Sequence, residues 1–231
     1  MSSTERRHKK LAITGCGRSG TRYITLLLRE LGLELGHETL GRDGVVSWCL
    51  AVDAAYVPWG VARHEVVFEQ VLHQLRHPLD VIPSVSTFSD RSWSFICRQV
   101  PCDPEAPVLL RATQYWHYWN LEVERIADWR YRVEDLPLVF ATLCARVGVA
   151  PEWSAFERVP GDINTRRCGH VLHWYDELCA RLRIPLPVSL RGRLAGQAAP
   201  SFAFTWEDLR RVDRRWCEQV REQAHGYGYH V

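Results

Sequence analysis

Residues 15 to 21, Gly15-Cys16-Gly17-Arg18-Ser19-Gly20-Thr21, constrain this chain more than any other stretch. They follow a short apolar run, residues 11 to 15 (LAITG), of the length of a buried strand. They precede a segment, from Ser19 onward, in which Ile24, Leu27, Leu28 and Leu31 recur at helical spacing until Gly32 ends the pattern. A glycine-rich loop between a strand and a helix is where backbone N–H groups and the helix dipole converge on a bound anion.

The loop departs from the common phosphate-binding pattern G-x-x-x-x-G-K-[ST]. Gly15 and Gly20 keep its spacing, but Thr21 follows Gly20 directly, with no lysine between. The positive charge stands instead inside the loop, as Arg18, a guanidinium able to hold two oxygens of a tetrahedral anion at once. The plainer reading keeps the glycines as a tight turn and Arg18 as a solvated surface charge.

The rest of the chain repeats the strand-then-helix alternation. A turn around Gly36 to Gly44 leads into an apolar, helix-like stretch from Val45 to Tyr56. Residues 66 to 75 (VVFEQVLHQL) read as a buried strand closed by His77-Pro78, and Pro78 suits the first turn of a helix running to about 88. Leu109, Ala112, Trp116, Trp119, Val123 and Ile126 step by three and four along one long helix. Trp129 to Val133 is then a strand, and Leu138, Leu143 and Val147 belong to a helix that Gly148 ends. Alternation of this kind implies a doubly wound α/β fold, a parallel sheet flanked by helices, because parallel neighbours need crossover connections.

At 231 residues the chain is expected to form a single domain, 1–231. Residues 151–200 carry many Pro, Gly and Arg and are expected to be an irregular, mobile segment of functional use, with one helix near Leu172 to Leu182. Thr205 and Asp208 resemble a capping box for a last helix carrying Leu209, Val212, Trp216 and Val220, closed by Gly226.

Lys and Arg exceed Asp and Glu by only two, so no global field calls for nucleic acid or an anionic membrane, and any anion site must be local. The eight cysteines show no CxxC pair or zinc spacing, so no metal site is expected and a reducing cytoplasm fits best. No apolar run approaches a membrane span or a signal-peptide core. Ten Trp imply rigid core packing or, alternatively, an aromatic-walled acceptor pocket built from Trp48, Trp93, Trp116 and Trp119. The oligomeric state has no signature.

A second anion site is written in Arg76-His77-Pro78-Leu79-Asp80-Val81-Ile82-Pro83-Ser84. Arg76 ends a strand, and Ser84, eight residues on, lies about two turns into the next helix. Together, GCGRSGTRY and RHPLDVIPS resemble the two donor-binding motifs of sulfotransferases that use 3′-phosphoadenosine 5′-phosphosulfate (PAPS). The resemblance continues through YWHYWN (Tyr115 to Asn120) and RYRVEDL (Arg130 to Leu136). Arg18 stands where many cytosolic members carry Lys, and is similar in this to the tyrosylprotein-type and bacterial members. Val133 stands where the family often has Tyr.

The resemblance implies that Gly17, Arg18, Ser19, Gly20, Thr21 and Arg22 cradle the sulfate end of the donor and that Arg76 and Ser84 hold its 3′-phosphate. Asn164, Thr165 and Arg166 are weaker candidates for a C-terminal donor segment. No metal is required for the implied in-line transfer to a hydroxyl, where Arg18 and the loop N–H groups neutralise charge. The acceptor is expected to be a small molecule or glycan. Its proton needs a base, and Glu38 is favoured over His37 in Gly36-His37-Glu38-Thr39. His77 reads as a packing residue, and of Glu134 and Asp135, placed on opposite faces of a strand, one is expected to orient Arg76 or another cation. A P-loop kinase or other phosphotransferase, and a non-catalytic binder of 3′-phosphoadenosine 5′-phosphate (PAP), remain as alternatives.

Overall fold

The computed structural model describes residues 6–58, 60–159 and 204–231. Five strands form one sheet: β1 (Arg7–Thr14), β2 (Leu35–His37), β3 (Gly44–Val46), β4 (Val66–Leu75) and β5 (Trp129–Arg132). Their order is β2-β3-β1-β4-β5, and every neighbouring pair is parallel. The fold is therefore the doubly wound α/β arrangement expected from the alternation. Helix α1 (Thr21–Glu30) follows β1, and α2 (Pro78–Val85), α3 (Asp90–Gln99) and α4 (Val108–Glu124) lie between β4 and β5. After β5 come α5 (Leu136–Val147), the short α6 (Ala155–Arg158), α7 (Trp206–Val212) and α8 (Arg214–Gly226).

Alternating side chains of the strands feed different layers. Leu11, Ile13, Leu35, Val46, Leu72 and Tyr131 are buried with residues of α1 and α5. Ala12 and Val45 join Leu50 in a small separate cluster. The largest cluster gathers α2, α3, α4, α7 and α8 around Trp48, Tyr115, Trp116 and Trp119. All four tryptophans weighed as a pocket wall are core residues, and the Nε1–H groups of Trp116 and Trp119 donate to the carbonyls of Arg76 (3.3 Å) and Trp48 (3.0 Å).

One connection is unusual. Parallel strands ordinarily need a crossover of about a dozen residues, yet β2 and β3 are parallel neighbours joined by residues 38–43 alone. The chain turns back so tightly that a side chain at Gly36 would overlap the Thr39 carbonyl, and one at Gly41 would overlap that of Glu34. Glu38, first residue of this return, takes a left-handed backbone with φ 55°.

The structure corrects several expectations. The stretch from Val45 to Tyr56 is not a helix: it completes β3 and makes a 3-10 turn over Trp48–Ala51, capped by Ser47. A continuous apolar run looks the same for a strand buried on both faces as for a buried helix. The last helix is two, because Asp213 adopts an extended φ of −164° and its carboxylate caps α8 at the Trp216 N–H. The capping box of Thr205 and Asp208 is present at the start of α7. Glu134 and Asp135 lie in a 3-10 turn rather than on a strand, and Leu138, although on α5, is 85% exposed. The segment 151–200 is described only as far as residue 159, so the helix near Leu172, Asn164, Thr165 and Arg166 lie outside the described residues. Among the described residues no helix is long and apolar enough to cross a membrane.

Candidate active site

Strands β1 and β4 are adjacent and parallel, so the loops that leave them emerge side by side at one edge of the sheet. The loop after β1 is fixed by three long-range contacts. Tyr115, on α4, accepts the Gly17 N–H at its hydroxyl (2.8 Å). Gln74, near the end of β4, donates to the Ser19 carbonyl (2.6 Å) and is itself held by the Tyr131 hydroxyl (2.7 Å). A side chain at Gly15 would overlap the Gln74 carbonyl oxygen, so the loop lies directly against the β4 backbone.

The loop leaves donors open at the start of α1. Gly20 is the N-cap of α1 in a left-handed conformation (φ 91°), and no side chain caps the helix. Its first-turn N–H groups therefore receive no side-chain cap, the arrangement an external anion completes. The Ser19 hydroxyl is fully buried with no hydrogen-bond partner among the described residues, a cost that an anionic oxygen would relieve. Arg18 is exposed and left-handed (φ 71°), its guanidinium 5.3 Å from the centre of the Phe88 ring. Arg22 is the second residue of α1.

Arg76 reaches this loop: its Nη1 donates to the Arg18 carbonyl at 3.1 Å, and its Nε lies 3.7 Å from Asp80. The Arg76 side chain thus meets the Arg18 backbone, at neighbouring strand ends. Between the Arg76 and Phe88 contacts runs α2, with Ser84 in its last turn. Its N-cap His77 accepts the Leu79 N–H at Nδ1 and packs edge-on against Trp206 and Tyr229, as a packing residue would. Glu134 accepts the His77 N–H (2.8 Å) and the Tyr229 hydroxyl (3.1 Å), while Asp135 pairs with Arg132. The acidic pair therefore braces the Arg76 turn through its backbone and the C-terminal residues.

The remaining candidates sit at the end of β2. The Thr21 hydroxyl meets Nε2 of His37 at 3.2 Å, and the same nitrogen is 4.0 Å from the Glu38 carboxylate. Glu38 accepts from the Ser47 hydroxyl and the Trp48 N–H. Burial outweighs both bonds and pushes its pKa up to about 7. A fifth of the side chain remains open to solvent. Glu38 thus has its pKa raised to about 7 and lies beside His37, which meets the Thr21 hydroxyl at the end of the loop.

The sequence reading missed Ser47, Gln74 and Tyr115 as functional supports. Their contacts span 9, 55 and 98 residues respectively, and no local pattern announces them. Tyr115 stood in a segment already singled out; the signal was a buried hydroxyl in need of a partner. Among the described residues no cluster of three or more His, Cys, Asp or Glu side chains gathers in metal-binding fashion.

No protein-family model matches the sequence, and no curated protein matches it. One solved structure, a sulfotransferase domain from the curacin biosynthetic pathway, covers 98% of this chain and 100% of its own, with a TM-score of 0.47 and 14% identity.

Proposed function

We propose that this chain is a sulfotransferase that moves a sulfuryl group from PAPS to a hydroxyl acceptor. The observation that carries the reading is the meeting of two guanidinium-bearing strand ends, through the Arg76 to Arg18 hydrogen bond, beside a half-closed carboxylate with a pKa of about 7. The bound donor supplies a sulfuryl group on a phosphate leaving group. Gly17, Arg18, Ser19, Gly20, Thr21 and Arg22 would hold the sulfate end, and Arg76 with Ser84 the 3′-phosphate. The orphaned Ser19 hydroxyl and the uncapped α1 fit such an anion.

In-line transfer forms one S–O bond to the acceptor oxygen as the bond to the phosphate oxygen breaks, with charge spread over the peripheral oxygens. Arg18 and the loop N–H groups neutralise that charge without reorganising. Glu38 takes the acceptor proton, which its pKa allows near neutral pH. His37, in contact with the Thr21 hydroxyl and beside Glu38, is the second candidate for the base. In a magnesium-dependent phosphate loop a lysine follows the second glycine and the next residue's hydroxyl serves the metal; here those two positions are Thr21 and Arg22, which favours the sulfuryl reading over a kinase.

The test is a thermal-shift titration with PAP, ATP, and ATP plus magnesium, since selective binding stabilises the folded state by mass action. PAP is expected to give the largest shift. Equal shifts for the three would refute the donor assignment, and a shift that requires magnesium would turn it into a kinase.

A further inference from the structure

Helix α3 carries Arg91, Ser94, Phe95 and Arg98 at i, i+3, i+4 and i+7, one stripe along two turns. That stripe lines a cavity of about 390 Å³, closed on its other side by residues 54–58, including Tyr56 and Pro58. Two guanidinium groups and no carboxylate line it. Arg91 is seated by its Nη2, which donates to the Tyr56 hydroxyl (2.8 Å) and the Pro58 carbonyl (3.4 Å). Arg98 is exposed and makes no ion pair or side-chain hydrogen bond with the described residues. Tyr56 is 64% exposed, a flat apolar ring beside two cations.

Both walls of this cavity adjoin residues that touch the proposed base. Phe95 packs edge-on against Trp48 at 5.7 Å between ring centres, and the Trp48 N–H donates to Glu38. On the other wall, two residues past Pro58, a side chain at Gly60 would lie 3.1 Å from the Ser47 hydroxyl and 3.2 Å from the Glu38 carbonyl.

We propose that this cavity is the acceptor subsite and that the acceptor is an organic acid, its carboxylate held by Arg91 and Arg98 and its flat or apolar body laid on Tyr56. The inference rests on the transferase reading above. A guanidinium pair holds a carboxylate by charge-assisted, directional hydrogen bonds that a neutral amide of the same shape cannot match.

The probes are 4-hydroxyphenylacetate and its amide, titrated calorimetrically against the full chain in the presence of PAP. The acid is expected to bind about tenfold tighter than the amide. Arg98→Gln should erase that preference and Arg98→Lys should keep most of it, with PAP affinity unchanged in both; because Arg98 is exposed, neither change threatens the fold. Arg91→Gln provides a second removal of charge. Equal binding of acid and amide, a preference that survives both glutamine variants, or no binding of either probe would overturn the proposal. Failure of the transferase reading shows separately, as absence of PAP binding in the same titrations, and removes the acceptor role whatever the probes do.

Discussion

The anion loop and the turn after β2 each force one residue into a left-handed backbone, Arg18 at φ 71° and Glu38 at φ 55°, and these are the non-glycine residues with positive φ among those described. The strain costs about 1–2 kcal/mol at each position. The electrostatic settings are opposite. Arg18 is exposed and rests its charge on Phe88, whereas Glu38 is packed under Ser47 and Trp48 with its charged form disfavoured. A permanent cation can stay in water and still hold an anion, while a base must be made reluctant to ionise before it exchanges a proton at neutral pH. The same backbone distortion thus presents two groups whose chemistry demands different amounts of solvent.

That contrast can be broken from either side. The largest effect is expected at the buried end: Glu38→Ala should lower PAP release from PAPS, over a panel of hydroxyl acceptors, by about a hundredfold or more while PAP binding stays unchanged. Unaltered turnover would move the base to His37 or elsewhere. Next comes the loop scaffold. Gly15→Ala should destabilise the fold in urea by about 3 kcal/mol, because a methyl there meets fixed β4 backbone. Gly17→Ala should cost less, since its obstacle is the movable rim of Phe88, 2.7 Å away.

Smaller effects concern the Glu38 charge itself. Its folded pKa, about 7, lies above that of an unfolded carboxylate, so its contribution to stability is full at low pH and is lost as pH rises through about 7. Glu38→Gln should therefore raise the unfolding free energy by about 1–3 kcal/mol at pH 8 and leave it nearly unchanged at pH 4. Catalysis runs the other way: wild-type kcat/KM should climb with pH through about 7 as the carboxylate ionises. The Ser47 hydroxyl holds that pKa down, so Ser47→Ala should move the climb to higher pH. A pH profile indifferent to Ser47 would detach the titrating group from Glu38.

The two regions also differ in how far the sequence disclosed them. The anion loop was legible because three glycines, an arginine and the flanking apolar periods are all local signals, and β4, α4, β5 and the Thr205 cap were equally local. The surroundings of Glu38 were not. A parallel return made by residues 38–43 alone violates the usual crossover length, and the apolar run after it reads equally well as strand or helix. Helix α3 has a weaker local signal, the Ser89 cap with Trp93 and Ile96 three apart, between two stronger segments. Ser47, Gln74 and Tyr115 act across 9, 55 and 98 residues, distances over which only folding reveals a contact.

In the proposed complex Arg76 serves one phosphate while Arg18 serves the other end of the same nucleotide. Calorimetric titration of PAP and of adenosine 5′-monophosphate, which lacks the 3′-phosphate, into wild type and Arg76→Ala measures this directly. The predicted result is a loss of about tenfold or more in PAP affinity with the monophosphate unaffected. Equal losses for both nucleotides, or none for either, would contradict it.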